Sequence, residues 1–125
     1  MANILGSIDF DPMQDDRSGF LSGDLFWHVK TLISAVKEQK CTRFKHNLAS
    51  CHLHDYQQSM NPLDMARRFI RIRDADLDCP IILCPYGEIL DGAHRLAKAL
   101  VEGKSWLWAY RLKTMPKPDR DESDA

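Results

Sequence analysis

Hydrophobic positions recur at different periods along this 125-residue chain, and each period names an element. Between Gly23 and Gln39, Leu25, Val29, Leu32 and Val36, with Phe26 and Ile33 beside them, fall three and four residues apart. That spacing predicts a helix with a broad buried face, with Ser22 placed to cap its N-terminus. Asn61-Pro62 opens a second helix: Asn61 can cap it, Pro62 suits the first helical position, and Asp64 suits the positive end of the dipole. Leu63, Ala66, Phe69 and Ile70 give it an apolar stripe, and the acidic stretch Arg73 to Asp78 reads as its exit loop. Ahead of it the signals are weaker, with short elements expected at Cys41 to His46 and Asn47 to Leu53.

The C-terminal third reads more clearly. Cys79 to Cys84 is a short apolar, β-branched run bounded by Pro80 and Pro85, the pattern of a buried strand. Tyr86-Gly87 turns into a second strand at Glu88 to Leu90. Ala93, Leu96, Ala97, Leu100 and Val101 then recur with helical spacing, and Gly103 stands where a C-terminal glycine cap belongs. From Trp106 to Leu112 the aromatic residues Trp106, Trp108 and Tyr110 alternate with Leu107, Ala109 and Arg111, which predicts a strand. Its aromatic face reads first as core packing, with base stacking as the rival.

These elements predict one α+β (α/β) domain, a small mixed sheet packed by helices. The expected organisation is an irregular arm over 1–22 with a strand at Asn3 to Phe10, a domain over 23–112, and a disordered tail over 113–125. The tail has Pro116 and Pro118 and no large apolar residue after Met115, too little to offset its ordering entropy. Composition agrees with a globular domain: 44% hydrophobic and 28% charged residues argue against wholesale disorder or a fibrous repeat. No apolar run is long enough for a membrane helix, and Met1 to Phe10 lacks a signal-peptide pattern, so a soluble, cytoplasmic protein without a membrane partner is expected.

The chain has 17 Lys plus Arg against 18 Asp plus Glu, a net charge of −1, which argues against coating a polyanion through global charge. The imbalance sits in 113–125, so the body is neutral and its cations matter by position. Arg67, Arg68, Arg71 and Arg73 fall within one stretch of the second helix, where they read either as a solvated face or as phosphate contacts.

The second concentration is the turn Asp91-Gly92-Ala93-His94-Arg95, with Lys98 one turn beyond His94. A strand ends here and a helix begins, so unpaired N–H groups and the helix dipole make an anion site, and Gly92 allows close backbone approach. His94, Arg95 and Lys98 add donors. Asp91 is placed to hold Mg²⁺ on phosphate oxygens or to orient a nucleophile; the plainer alternative is that it only caps the helix.

The stretch Pro80-Ile81-Ile82-Leu83, the motif Ile89-Leu90-Asp91-Gly92-Ala93-His94-Arg95, then Ala97, Ala99, Gly103 and a closing strand resemble the ParB/sulfiredoxin superfamily over residues 47–112. The resemblance implies a small domain whose strand-to-helix turn binds nucleotide phosphates. Members include CTP-binding partition clamps, ATP-dependent sulfiredoxins, an ADP-dependent serine kinase, and plasmid-borne proteins linked to ATPase and DNase activity. Sulfiredoxins carry cysteine where this chain has Ala93, so that activity is not expected. Partition proteins have a Gly-Glu-Arg-Arg turn and a downstream helix-turn-helix, for which the residues after 112 leave no room. The Asp-Gly-x-His-Arg form is nearer to the serine kinases, which by resemblance nominates Asp91 as functional.

The expectation is therefore a bacterial domain that binds ATP or a related nucleotide with Mg²⁺, and an ATPase or small-molecule kinase activity. Gly92, Ala93, His94, Arg95 and Lys98 would bind the nucleotide, Asp91 and His94 would be catalytic, and Asp91 would hold the metal. The alternative is a DNA-directed accessory protein of a plasmid, phage or other mobile element, a DNA binder or nuclease, using Arg67, Arg68, Arg71 and Arg73. Cys41, His46, Cys51, His52 and His54 match no common zinc spacing. Cys79 and Cys84 bracket one strand, too far apart for a disulfide, and read as free buried thiols.

Overall fold

In the computed structural model, which describes residues 19–50 and 61–121, the apolar run at 81–83 becomes the centre of a four-stranded sheet. The elements run β1 (Gly19–Ser22), β2 (Leu25–His28), α1 (Val29–Glu38), β3 (Phe44–Asn47), a 3-10 turn (Leu48–Ser50), α2 (Pro62–Asp74), β4 (Ile81–Leu83), β5 (Ile89–Asp91), α3 (Ala93–Val101), β6 (Trp106–Arg111) and β7 (Arg120–Asp121). The larger sheet has the order β3-β6-β4-β5, with β6 parallel to β4 and antiparallel to β3. The smaller has the order β1-β2-β7. The fold is thus α+β, as the pattern predicts. No helix among the described residues is long and apolar enough to cross a membrane.

Both faces of β4 are covered, which explains its unbroken apolar sequence. Ile82 packs with Leu90, Tyr110 and Leu112 against Leu32, Ala35 and Val36 of α1. Ile81 and Leu83 pack on the other face with Leu107 and Ala109 against Leu96 and Ala99 of α3. Cys79 and Cys84 are buried thiols outside any disulfide, and the Cys84 sulfur accepts from the Tyr86 and Glu88 N–H groups in the β4–β5 turn. Gly103 closes α3 with positive φ: its N–H donates to the Leu100 carbonyl and the Lys104 N–H to that of Ala99.

Three expectations need correction. The helix over 23–39 begins only at Val29, because Leu25–His28 is a strand hairpinned to Gly19–Ser22 across Gly23-Asp24, with Gly23 at φ +60°. A Gly-Asp pair before an aromatic run is a hairpin signal, and the helical spacing of Leu25 and Val29 masks it. Consequently Gly19–Ser22 belongs to the domain and not to an arm.

Residues 113–121 are docked instead of disordered. Gln39 accepts from the Lys113 and Thr114 N–H groups and donates to the Thr114 carbonyl. Met115 packs against the α1 side of the core, and the Trp27 indole N–H donates to the Pro116 carbonyl at 2.8 Å. Asp119 accepts from the His28 N–H and the Thr31 hydroxyl at the start of α1, and β7 pairs with β2. Polar side chains acting at a distance order this segment, so counting its apolar residues underestimates it.

Third, α2 forms as expected, with the Asn61 side chain accepting from the Asp64 N–H, yet none of its residues is buried. Leu63, Phe69 and Ile70 of its stripe lie exposed. The strand expected at Asn3 to Phe10 and the residues Cys51, His52 and His54 lie outside the described residues. His46 is in the core, paired across the strands with Leu107.

Candidate functional site

The turn between β5 and α3 forms as the sequence pattern predicts. Gly92 has φ +112°, and a Cβ there would stand 2.4 Å from the Ile81 side chain, so only glycine lets the chain pass β4 this closely. The N-cap position of α3 is Gly92, which has no side chain to offer the helix, and the first residue of the helix, Ala93, is exposed.

The motif's charged residues then divide between two directions. Arg95 turns inward and is 2% exposed. Its guanidinium donates to the Cys79 carbonyl at 3.1 Å, the Pro80 carbonyl at 2.6 Å, and Asp91 Oδ2 at 2.8 Å. It therefore ties the start of α3 to the strand entering the sheet, and its expected role at the nucleotide is not what this geometry serves. Lys98 also turns away from the turn, donating to the Arg73 and Ala75 carbonyls at 2.8 and 2.7 Å. There it caps the negative end of α2.

His94 faces the other way. Burial pushes its imidazole below the ordinary value, and the charges of Arg71 and Arg68, then Arg95, push the same way, against a smaller opposing effect of Asp91. Arg71 and Arg68 of α2 therefore stand near the start of α3. They fall on separate sequence elements and read there as a separate DNA patch; the packing of α2 on α3 joins two of them to His94. The signal in the sequence is their spacing, since Arg68 and Arg71 share one side of a helix. Arg73 does not join them, because it pairs with Asp74 at 2.9 Å.

Gly92, Ala93 and His94, with Arg68 and Arg71, are thus the groups on which a candidate anion site here would draw: backbone N–H groups, an imidazole and two guanidinium groups. The residues do not make a cage for Mg²⁺. Asp91 is the one carboxylate between 91 and 95 and has Oδ2 engaged with Arg95, and no group of three His, Cys, Asp or Glu side chains gathers among the described residues. A recess of about 590 Å³ opens at the far end of α3, lined by Asp76, Asp78, Glu102 and Lys104 among others, and carries charges of both signs. The start of α3 is the better phosphate site, because its donors converge and its only carboxylate is already paired.

No family model matches the chain, and the searches of curated proteins and of solved structures found no match to it.

Proposed function

We propose that this protein is a nucleotide-binding domain of ParB/sulfiredoxin type that holds the phosphates of ATP or a related nucleotide at the start of α3. The observation that carries the reading is that Arg71 and Arg68 of α2 lie close enough to His94, at the start of α3 after the Gly92 turn, for their charges to act on its imidazole. Backbone N–H groups at the Gly92 turn would donate to the phosphate oxygens, as would the His94 ring N–H, and the arginines would supply the positive charge. Binding is the activity this arrangement supports, since the Asp91–Arg95 ion pair removes the motif carboxylate from easy use as a base or metal ligand. Duplex DNA fits less well: Arg73 is paired within its own helix, so the four α2 arginines do not make one stripe for a phosphate backbone.

Calorimetry with ATP, ADP and CTP tests this reading on the full chain and on Arg71→Glu. A charge-assisted hydrogen bond is worth about 1.5–3 kcal/mol, so the variant should bind about tenfold more weakly or worse while keeping its circular dichroism. Absence of binding by all three nucleotides would remove the proposal, as would an Arg71→Glu affinity equal to that of the native chain.

A further inference from the structure

The aromatic face of β6 is divided. Tyr110 and Leu112 enter the core under α1, whereas Trp106, one to two residue pairs earlier, is 39% exposed and Trp108 is half-buried. The two indoles meet edge to face, 5.0 Å between centroids. Strand β3 lies alongside, with Lys45 opposite Trp108 and Asn47 opposite Trp106. The Arg43 guanidinium sits 4.2 Å from the Trp108 ring centre and the Lys45 ammonium 4.6 Å from that of Trp106. The pair that the alternating pattern assigns to the core is thus a partly exposed aromatic ledge with cations over its rings.

Charge along the two strands points the same way. Residues 39–50 contain Lys40, Arg43 and Lys45 and no acid; residues 103–118 contain Lys104, Arg111, Lys113 and Lys117 and no acid. In a chain of net charge −1, the two segments that pair as β3 and β6 are therefore wholly basic. Trp106 and Trp108 also line the recess at the end of α3, which they share with Asp76, Asp78 and Glu102 and with Lys98 and Lys104.

We propose that this ledge is a second binding surface, for single-stranded nucleic acid, separate from the phosphate site at the start of α3. Alternate residues of a strand stand about 6.6 Å apart, a spacing on which unstacked bases of an extended single strand can settle in succession. A base that stacks on an indole displaces the cation above it, and the freed Arg43 or Lys45 then meets the adjoining phosphate. A duplex hides its base faces and cannot use the indoles in this way.

Fluorescence anisotropy of labelled oligothymidylate and oligouridylate, read together with tryptophan emission, tests the proposal on the full chain. Expected are binding at low salt with quenched emission, weakening as salt rises. Trp106→Ala should weaken binding about tenfold, Trp106→Phe should largely restore it, and the double variant Arg43→Glu/Lys45→Glu should remove it. Trp106 is exposed enough for these changes to leave the fold intact, and Arg71→Glu should leave oligonucleotide affinity unchanged. The two oligomers differ in the 2′-hydroxyl and in the base C5 methyl, and a preference for either supports the proposal. It is overturned if neither oligomer binds at low salt, if Trp106→Ala binds like the native chain, or if duplex DNA or inorganic polyphosphate competes equally well.

Discussion

Helices α2 and α3 carry the same kind of sequence, an apolar stripe beside basic residues, and the fold uses them in opposite ways. In α3, Leu96 and Ala99 are buried against the sheet and Arg95 is buried with them. In α2 nothing is buried, and the arginines stay at the surface. The difference lies in connection. The start of α3 follows a sheet strand through the tight Gly92 turn, so its first charged residues fall against the backbone entering β4. Helix α2 is joined to the described body at its C-terminal end, where Ala75 is buried and Lys98 reaches its last carbonyls. A guanidinium beside buried carbonyls becomes part of the structure, whereas the same group on α2 lies at the surface.

The strongest way to break this comparison is to replace the inward arginine. Arg95→Ala leaves Asp91 without its partner and the Cys79 and Pro80 carbonyls without their shared donor, all at a nearly fully buried side chain. Removing one member of such a pair costs about 3–5 kcal/mol, while the same truncation of the exposed Arg71 should cost within about 0.5 kcal/mol. Urea denaturation of both variants measures the contrast. Equal midpoints would mean that Arg95 is not the anchor described here.

A smaller effect is expected at the joint between the helices. Lys98→Met keeps the aliphatic stem and removes the donors to the Arg73 and Ala75 carbonyls. The loss should be about 1 kcal/mol, concentrated in the last turn of α2, where amide exchange should accelerate. Unchanged protection of that turn would show that α2 is held by other contacts.

Legibility in the sequence follows the range of the interactions. The elements β4, β5, α3 and β6 are set by local signals, from the flanking prolines to Gly92, Gly103 and the alternation after Trp106, and they form where the pattern places them. So does the Asn61 cap. What the pattern misses depends on partners far along the chain. The strand β2 hairpins locally with β1, its signal masked by helical spacing, and gains β7 and Pro116 from far along the chain, while the order of 113–121 depends on Gln39 and on the start of α1. The candidate site behaves likewise. Its location at the Asp91 to Arg95 turn is readable because glycine and helix start are local, but its membership is not. Only the packing of α2 near α3 brings the charges of Arg68 and Arg71 to bear on His94, and only the fold turns the Arg95 and Lys98 side chains to backbone carbonyls.

The smallest effect sharpens that last point, since it reads the approach of the arginines directly. Burial first, then Arg71 and Arg68, hold the His94 imidazole below 6.5. The unfolded chain, whose imidazole keeps its ordinary value, therefore binds more protons as pH falls through that region, and the fold loses stability from about pH 6.5 down through the depressed value. His46 adds to the loss with the same sign, through burial and then Arg111, so the two must be separated by site. An NMR titration of the His94 ring does so. The native ring should titrate below 6.5, and Arg71→Gln should move it upward and leave His46 unmoved, with part of the stability lost on acidification recovered. A His94 that titrates at the ordinary value, or that ignores Arg71→Gln, would place α2 too far from α3 for the two arginines to serve a phosphate there.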